Sequence, residues 1–119
     1  MTGPAAMAVV IPAHNEQVLL GPALSAVSRA ARHPALAATR VLVVVAADAC
    51  TDGTQSVARR AGALIAPLGS RNPGRARAAG AALALRTLAL DPGAVWIAST
   101  DADSEVCLLY TLRDRRSPT

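Results

Sequence analysis

Two carboxylates one residue apart, Asp101 and Asp103, follow an apolar run at residues 95–98. At the end of a buried strand such a pair can share a hard divalent cation, with ligand diphosphate oxygens completing its shell. Otherwise Asp101-Ala102-Asp103 is a solvated turn or a helix cap. A second polar loop, Asp48-Ala49-Cys50-Thr51-Asp52-Gly53-Thr54, also closes an apolar run. Thr51 or Asp52 can cap the helix that follows, and Gly53 eases the turn. Asp48 has no such local task, which leaves it able to accept hydrogen bonds from a base or ribose. Cys50 reads as a small packed side chain. A third loop, residues 69–74, carries Gly69 and Gly74 and leads into Arg75 and Arg77. A helix start with guanidinium groups beside it can hold an anion; the bland alternative is solvated arginines. It is no Walker A, because Arg75-Ala76 stand where Lys and Ser/Thr belong, and there is no G-x-G-x-x-G. The fourth loop is Pro12-Ala13-His14-Asn15-Glu16. There Asn15 can cap a helix with Glu16 in its first turn, and His14 lacks partners at metal spacing. Neither a Ser-His-Asp nor a Cys-His arrangement finds support, so the catalytic residues are left unassigned.

These loops need elements to hold them. Short apolar or β-branched runs at residues 7–11, 41–45, 63–68 and 95–98 read as strands covered on both faces. Between them Val18, Leu19, Ala23, Leu24, Ala26 and Val27 recur at helical spacing up to about residue 31. A short helix is expected over residues 54–61, closed by Gly62, and a long Ala/Leu helix over 75–90. The order β-α-β-α-β-α-β predicts an α/β domain, Rossmann-like, with a mainly parallel sheet. In such sheets ligands bind at the carboxyl ends of the strands, where all four loops fall.

With 119 residues the chain has room for one domain, and 52% hydrophobic against 17% charged residues is enough to bury a core. Aromatics are limited to Trp96 and Tyr110, so Val, Leu, Ile and Ala must fill that core. The formal net charge is +4 and every basic residue is Arg. Dispersed arginines without stacking aromatics argue against nucleic acid and suit an anionic small ligand. Cys50 and Cys107 form neither a zinc spacing nor a disulfide framework, which makes a reduced, cytoplasmic setting the expectation. The N-terminus lacks the pattern of a signal peptide, and no stretch approaches the roughly 18 apolar residues of a membrane span.

Taken in order, the four loops resemble the family-two glycosyltransferases of the GT-A fold. Val9-Val10-Ile11-Pro12-Ala13-His14-Asn15-Glu16 looks like that family's opening strand and "IPAxNE" loop. Residues 43–54 look like its "VVVxDxxTDGT" segment. Asn72-Pro73-Gly74-Arg75-Ala76-Arg77-Ala78-Ala79-Gly80 is similar to its "NxGxxxAxxxG" segment, and Ser99-Thr100-Asp101-Ala102-Asp103-Ser104 to its DxD. The likeness spans about residues 7–104. It implies a GT-A nucleotide-sugar site for a UDP- or GDP-linked donor. Pro12, Ala13 and Glu16 would line the base and ribose pocket, and Asp48 would hydrogen-bond the base. Arg75 or Arg77 would lie near the diphosphate. Asp101 would sit by the ribose and the metal, and Asp103 would bind Mg or Mn. Ala47 departs from the pattern, which often has a second acid there.

Family members continue past the DxD with a half that supplies the acceptor pocket and, in inverting members, the general base. Residues 105–119 do not resemble that continuation and form an atypical tail. The expectation is a partial domain, truncated or frame-shifted, that binds nucleotide with little transfer of its own. A half-sheet of this kind would expose an edge and an apolar face, which predicts weak stability or self-association. Two rivals are a non-catalytic nucleotide-binding or interaction remnant and a sugar-phosphate nucleotidyltransferase. The second usually carries a Gly-rich loop with a basic residue after its first strand, where this chain has Pro-Ala-His-Asn-Glu.

Overall fold

Valine-rich runs with apolar residues at both parities form strands that can be buried on both sides, and helices must cover them. The computed structural model describes residues 5–101. Asp103, Cys107, Tyr110 and the tail 105–119 lie outside the described residues. The elements are β1 (Ala6–Ala13), α1 (Leu20–Ala31), β2 (Arg40–Asp48), α2 (Thr54–Arg60), β3 (Leu64–Leu68), α3 (Pro73–Leu88) and β4 (Val95–Ser99). Short 3-10 turns at Pro34–Leu36 and Pro92–Ala94 lead into β2 and β4. The four strands form one sheet in the order β3-β2-β1-β4, and every pairing is parallel. The expected α/β, Rossmann-like arrangement with a parallel sheet is what forms.

Strand alternation sorts the core into two layers. Met7, Val9, Ile11 and Val45 point to one face and pack with Leu20, Leu24 and Val27 of α1 and Ala58 of α2. Ala6, Ala8 and Val44 point to the other and pack with Ala84 and Leu88 of α3. The buried stripe of α3 is Ala76, Gly80, Ala84 and Leu88, one residue per turn. Such small side chains let the helix approach β1 closely. A Cβ built on Gly80 would stand 2.5 Å from Val10 Cγ1. Helices thus pack on both sheet faces, while Leu42, Val43, Ile65, Trp96 and Ile97 are only partly buried. The large exposed hydrophobics, Val18, Leu19 and Leu90, lie in turns among the described residues.

Two helix starts differ from the sequence reading. α1 begins at Leu20, so Asn15 is not its cap and Glu16 is not in its first turn. Val18 is 83% exposed despite its helical spacing. The cause is tertiary: residues 14–17 are drawn into bonds with the loop after β2, and the helix can start only beyond them. α3 begins at Pro73, because the Asn72 side chain caps it by accepting from Arg75 N at 3.1 Å and proline suits the first helical position. No helix among the described residues is long and apolar enough to cross a membrane.

Candidate functional site

The chain steps from β1 to β2 to β3 in one direction across the sheet, then returns to place β4 on the far side of β1. That reversal opens a crevice at the carboxyl ends of β1 and β4, the usual ligand position in parallel α/β sheets. A cavity of about 450 Å³ lies there, within the common range for small-molecule sites. Pro12 and Ala13 reach it from the end of β1, Asp48 from the end of β2 and Asp101 from just beyond β4. Arg71, Pro73, Ala76 and Arg77 close it from the side of α3, and His14 and Glu16 from the loop after β1.

Asp48 is 4% exposed. Its Oδ1 accepts from Arg71 N at 2.8 Å, and its Oδ2 accepts from Asn72 N at 2.9 Å and Ser70 Oγ at 3.0 Å. Desolvation pushes its pKa up. The bonds from Arg71 N, Asn72 N and Ser70 outweigh that and leave it below the ordinary carboxylate value. The sequence reading left Asp48 without a local task; the fold supplies one, on a loop more than twenty residues away.

The loops after β1 and β2 are sewn together as well. His14 Nδ1 donates to the Asp48 carbonyl at 2.7 Å, and Thr51 N donates to Asn15 Oδ1 at 2.8 Å. Asn15 takes a left-handed backbone (φ 51°), a region asparagine tolerates better than most residues. The buried Thr54 hydroxyl accepts from Glu16 N at 2.9 Å and donates to Asp52 Oδ1. Asp52 Oδ1 also accepts from Thr54 N at 2.9 Å just ahead of α2, whose N-cap position is Gly53, so neither Thr51 nor Asp52 is its N-cap. The bond from the Thr54 hydroxyl, followed by bonds from backbone N–H groups, holds the Asp52 pKa below its ordinary value against desolvation. Cys50 is half-buried and donates to the Ala13 carbonyl at 3.4 Å, a packed side chain as expected.

At the mouth, Arg77 Nε donates to Ser99 Oγ at 3.1 Å and its Nη2 lies 3.4 Å from Asp101 Oδ1. Both partners are largely solvated, so the pair is screened and weak. Asp101 offers one hard carboxylate oxygen set to a cation. Among the described residues no group of three or more His, Cys, Asp or Glu comes together to hold a metal. Those residues do not make a metal centre by themselves, and Asp103 lies outside them.

The model of glycosyl transferase family 2 matches residues 8–107. The chain belongs to that family. Comparison with curated proteins and with solved structures gave no match. The match to glycosyl transferase family 2 begins within β1 and takes in every loop of the cavity. Membership brings glycosyltransferase-like function and nucleotide-sugar donor binding in general terms, and enzymes of this family commonly use divalent cations.

Of the residues expected in this family 2 site, Pro12, Ala13, Glu16, Asp48, Arg77 and Asp101 meet at the cavity. Arg75 is not in its lining; it is exposed, and its backbone N serves the Asn72 cap. The sequence reading missed Arg71, Pro73, Ala76 and His14 as lining residues. One available signal was Asn72-Pro73, a cap followed by a first-turn proline. It would have started α3 two residues earlier and moved the loop's arginine to position 71.

Proposed function

We propose that this family 2 domain binds a nucleoside-diphosphate sugar in the cavity at the carboxyl ends of β1, β2 and β4 and presents it for glycosyl transfer. The observation that carries this reading is the pairing of an apolar wall with two guanidinium-bearing residues in one crevice at the strand reversal. Pro12 and Ala13 offer a flat apolar surface for base and ribose, and Glu16 offers acceptors for ribose hydroxyls. Arg71 and Arg77 face the diphosphate, where a planar guanidinium can bond two oxygens at once. Asp101 sits by the ribose, and Mg or Mn at Asp101 and Asp103 belongs to the same proposal; when bound, such a cation neutralises diphosphate charge. The donor base is uracil or guanine.

Titration calorimetry with UDP and with GDP, each with and without Mn, tests this. Saturable binding of one of them, strengthened by Mn, is the expected result. No binding to either, with or without Mn, would overturn the proposal.

A further inference from the structure

Arginines that lie scattered in the sequence are gathered by the fold. Helices that connect parallel strands run against them, so helix C-termini and strand N-termini share one end of the molecule. Arg29 lies in the last turn of α1 and Arg32 follows it, Arg59 and Arg60 end α2, Arg86 lies in the last turn of α3, and Arg40 opens β2. All six are exposed. Among the described residues none of them is ion-paired, and the carboxylate at this end is Asp91, which accepts from Gly93 N in the turn before β4. Arg60 Nε donates to the Ser56 carbonyl at 3.4 Å, a solvated contact that leaves its charge unneutralised. The other described acids, Glu16, Asp48, Asp52 and Asp101, stand at the opposite end with Arg71, Arg75 and Arg77.

One arginine per helix would offset the negative end of the helix dipole. Two at α1, two at α2 and Arg40 at the start of a strand exceed that task. Nor do they serve the nucleotide cavity. β1 is 8 residues long, so about 25 Å separates the two ends, well beyond a Debye length of about 8 Å. A second cavity, of about 220 Å³, opens between α1, α2 and the starts of β2 and β3, with an apolar wall of Leu24, Val27 and Val43. Ser28, Ala31, Val41 and Ala61 also line it, and they are the chain neighbours of Arg29, Arg32, Arg40 and Arg60. An apolar cleft bordered by arginines without ion-pair partners is the result.

That combination selects the partner. Helix C-terminal carbonyls repel a small anion held close to them, whereas long arginine side chains reach past them to an anionic surface outside. A nucleic acid would find no stacking platform, because Trp96 is packed against the core, and its phosphate backbone has no use for an apolar cleft. An anionic bilayer offers both, phosphates for the arginines and the apolar headgroup–acyl boundary for the cleft. We propose that the end of the molecule opposite the nucleotide cavity docks on an anionic lipid bilayer through Arg29, Arg32, Arg40, Arg59, Arg60 and Arg86. In that orientation the cavity at the carboxyl ends of the strands faces away from the lipid. The inference is independent of what the cavity binds.

Co-sedimentation of the full chain with vesicles is the test, one set of pure phosphatidylcholine and one with about 30% phosphatidylglycerol. Binding to the anionic set alone, lost as salt rises from about 0.05 to 0.5 M, is expected. Arg59→Gln, Arg60→Gln and Arg86→Gln should each weaken it roughly fivefold. Arg75→Gln, which removes the same charge from the opposite end, should leave it unchanged. An equal loss with Arg75→Gln would show that net charge alone attracts the vesicles and would overturn the proposal, as would a failure to bind anionic vesicles. A short DNA duplex is the second probe; tighter binding to it than to the anionic vesicles, through the same arginines, refutes the lipid assignment in favour of nucleic acid. Glutamine suits an exposed helix position, and thermal melting checks that each variant keeps the fold. Lysine at the same positions keeps the charge and must restore binding; a loss with lysine as well would also refute the proposal.

Discussion

Replacing Gly80 with alanine sets two effects of opposite sign against each other. Gly80 lies inside α3, where alanine is favoured over glycine by about 1 kcal/mol. The added methyl, however, would sit 2.5 Å from Val10 Cγ1, whereas carbon atoms in contact prefer roughly 3.5–4.0 Å. A separation that short requires a shift of about 1 Å or more. Val10 is 1% exposed and β-branched, so its methyl has no free rotamer to move into and the helix must lift from β1. Overpacking of this kind typically costs about 1–3 kcal/mol, occasionally more. The clash therefore exceeds the propensity gain, and Gly80→Ala should lower stability by about 1–2 kcal/mol, with Tm falling roughly 4–8 °C for each kcal/mol. Val10→Ala removes the opposing methyl. On that background the same Gly80→Ala change should be neutral or stabilising by up to about 1 kcal/mol, giving a coupling of about 2 kcal/mol in the cycle. Thermal melting of the four proteins measures it. A Gly80→Ala variant that melts at or above the unaltered temperature would refute the packing account, as would an equal loss with Val10 truncated. Arg77 lies on the same helix one turn before Gly80, so the lifted helix should also bind nucleotide less tightly.

Thr54→Val removes a buried hydroxyl that joins Glu16 N to Asp52; a loss of about 2 kcal/mol is expected in chemical denaturation, and a loss near zero would show that the two loops do not depend on it. Asp48 and Asp52 both titrate below the ordinary 3.8 in the folded chain. The folded state therefore favours their charged forms. Their contribution is complete above the unfolded pKa and is lost as pH falls through the folded ones, so Tm should hold between neutral pH and about 5 and drop below about 4. Asp52→Asn should flatten that acid limb, and an unchanged limb would contradict the assignment. Arg77→Ala should weaken UDP binding roughly tenfold while moving stability by less than about 0.5 kcal/mol, because its ion pair with Asp101 is solvated. Asp103→Ala should abolish the Mn dependence of nucleotide binding, and a Mn dependence that survives would remove Asp103 from the site.

Much of the candidate site was legible because it lies where strands end. Pro12, Asp48 and Asp101 each follow an apolar run, and a parallel sheet gathers such ends on one side. The sequence points to Arg75 or Arg77 and overlooks Arg71 because its arginines are read against a helix start placed two residues late. His14 was set aside for lack of metal partners, yet its ring anchors the end of β2 through the Asp48 carbonyl.

Local patterns in the chain were sufficient for the element order, the parallel sheet and the family. Apolar runs, caps and breakers act over a few residues, and the sequence displays them directly. The partners of Asp48, the delayed start of α1 and the contact of Gly80 with Val10 were settled by tertiary structure alone. Each joins residues far apart in the chain, brought together by strand register and by the closeness of α3 to the sheet. Periodicity carries no record of such pairings, because a buried carboxylate takes whichever donors the packed fold delivers to it.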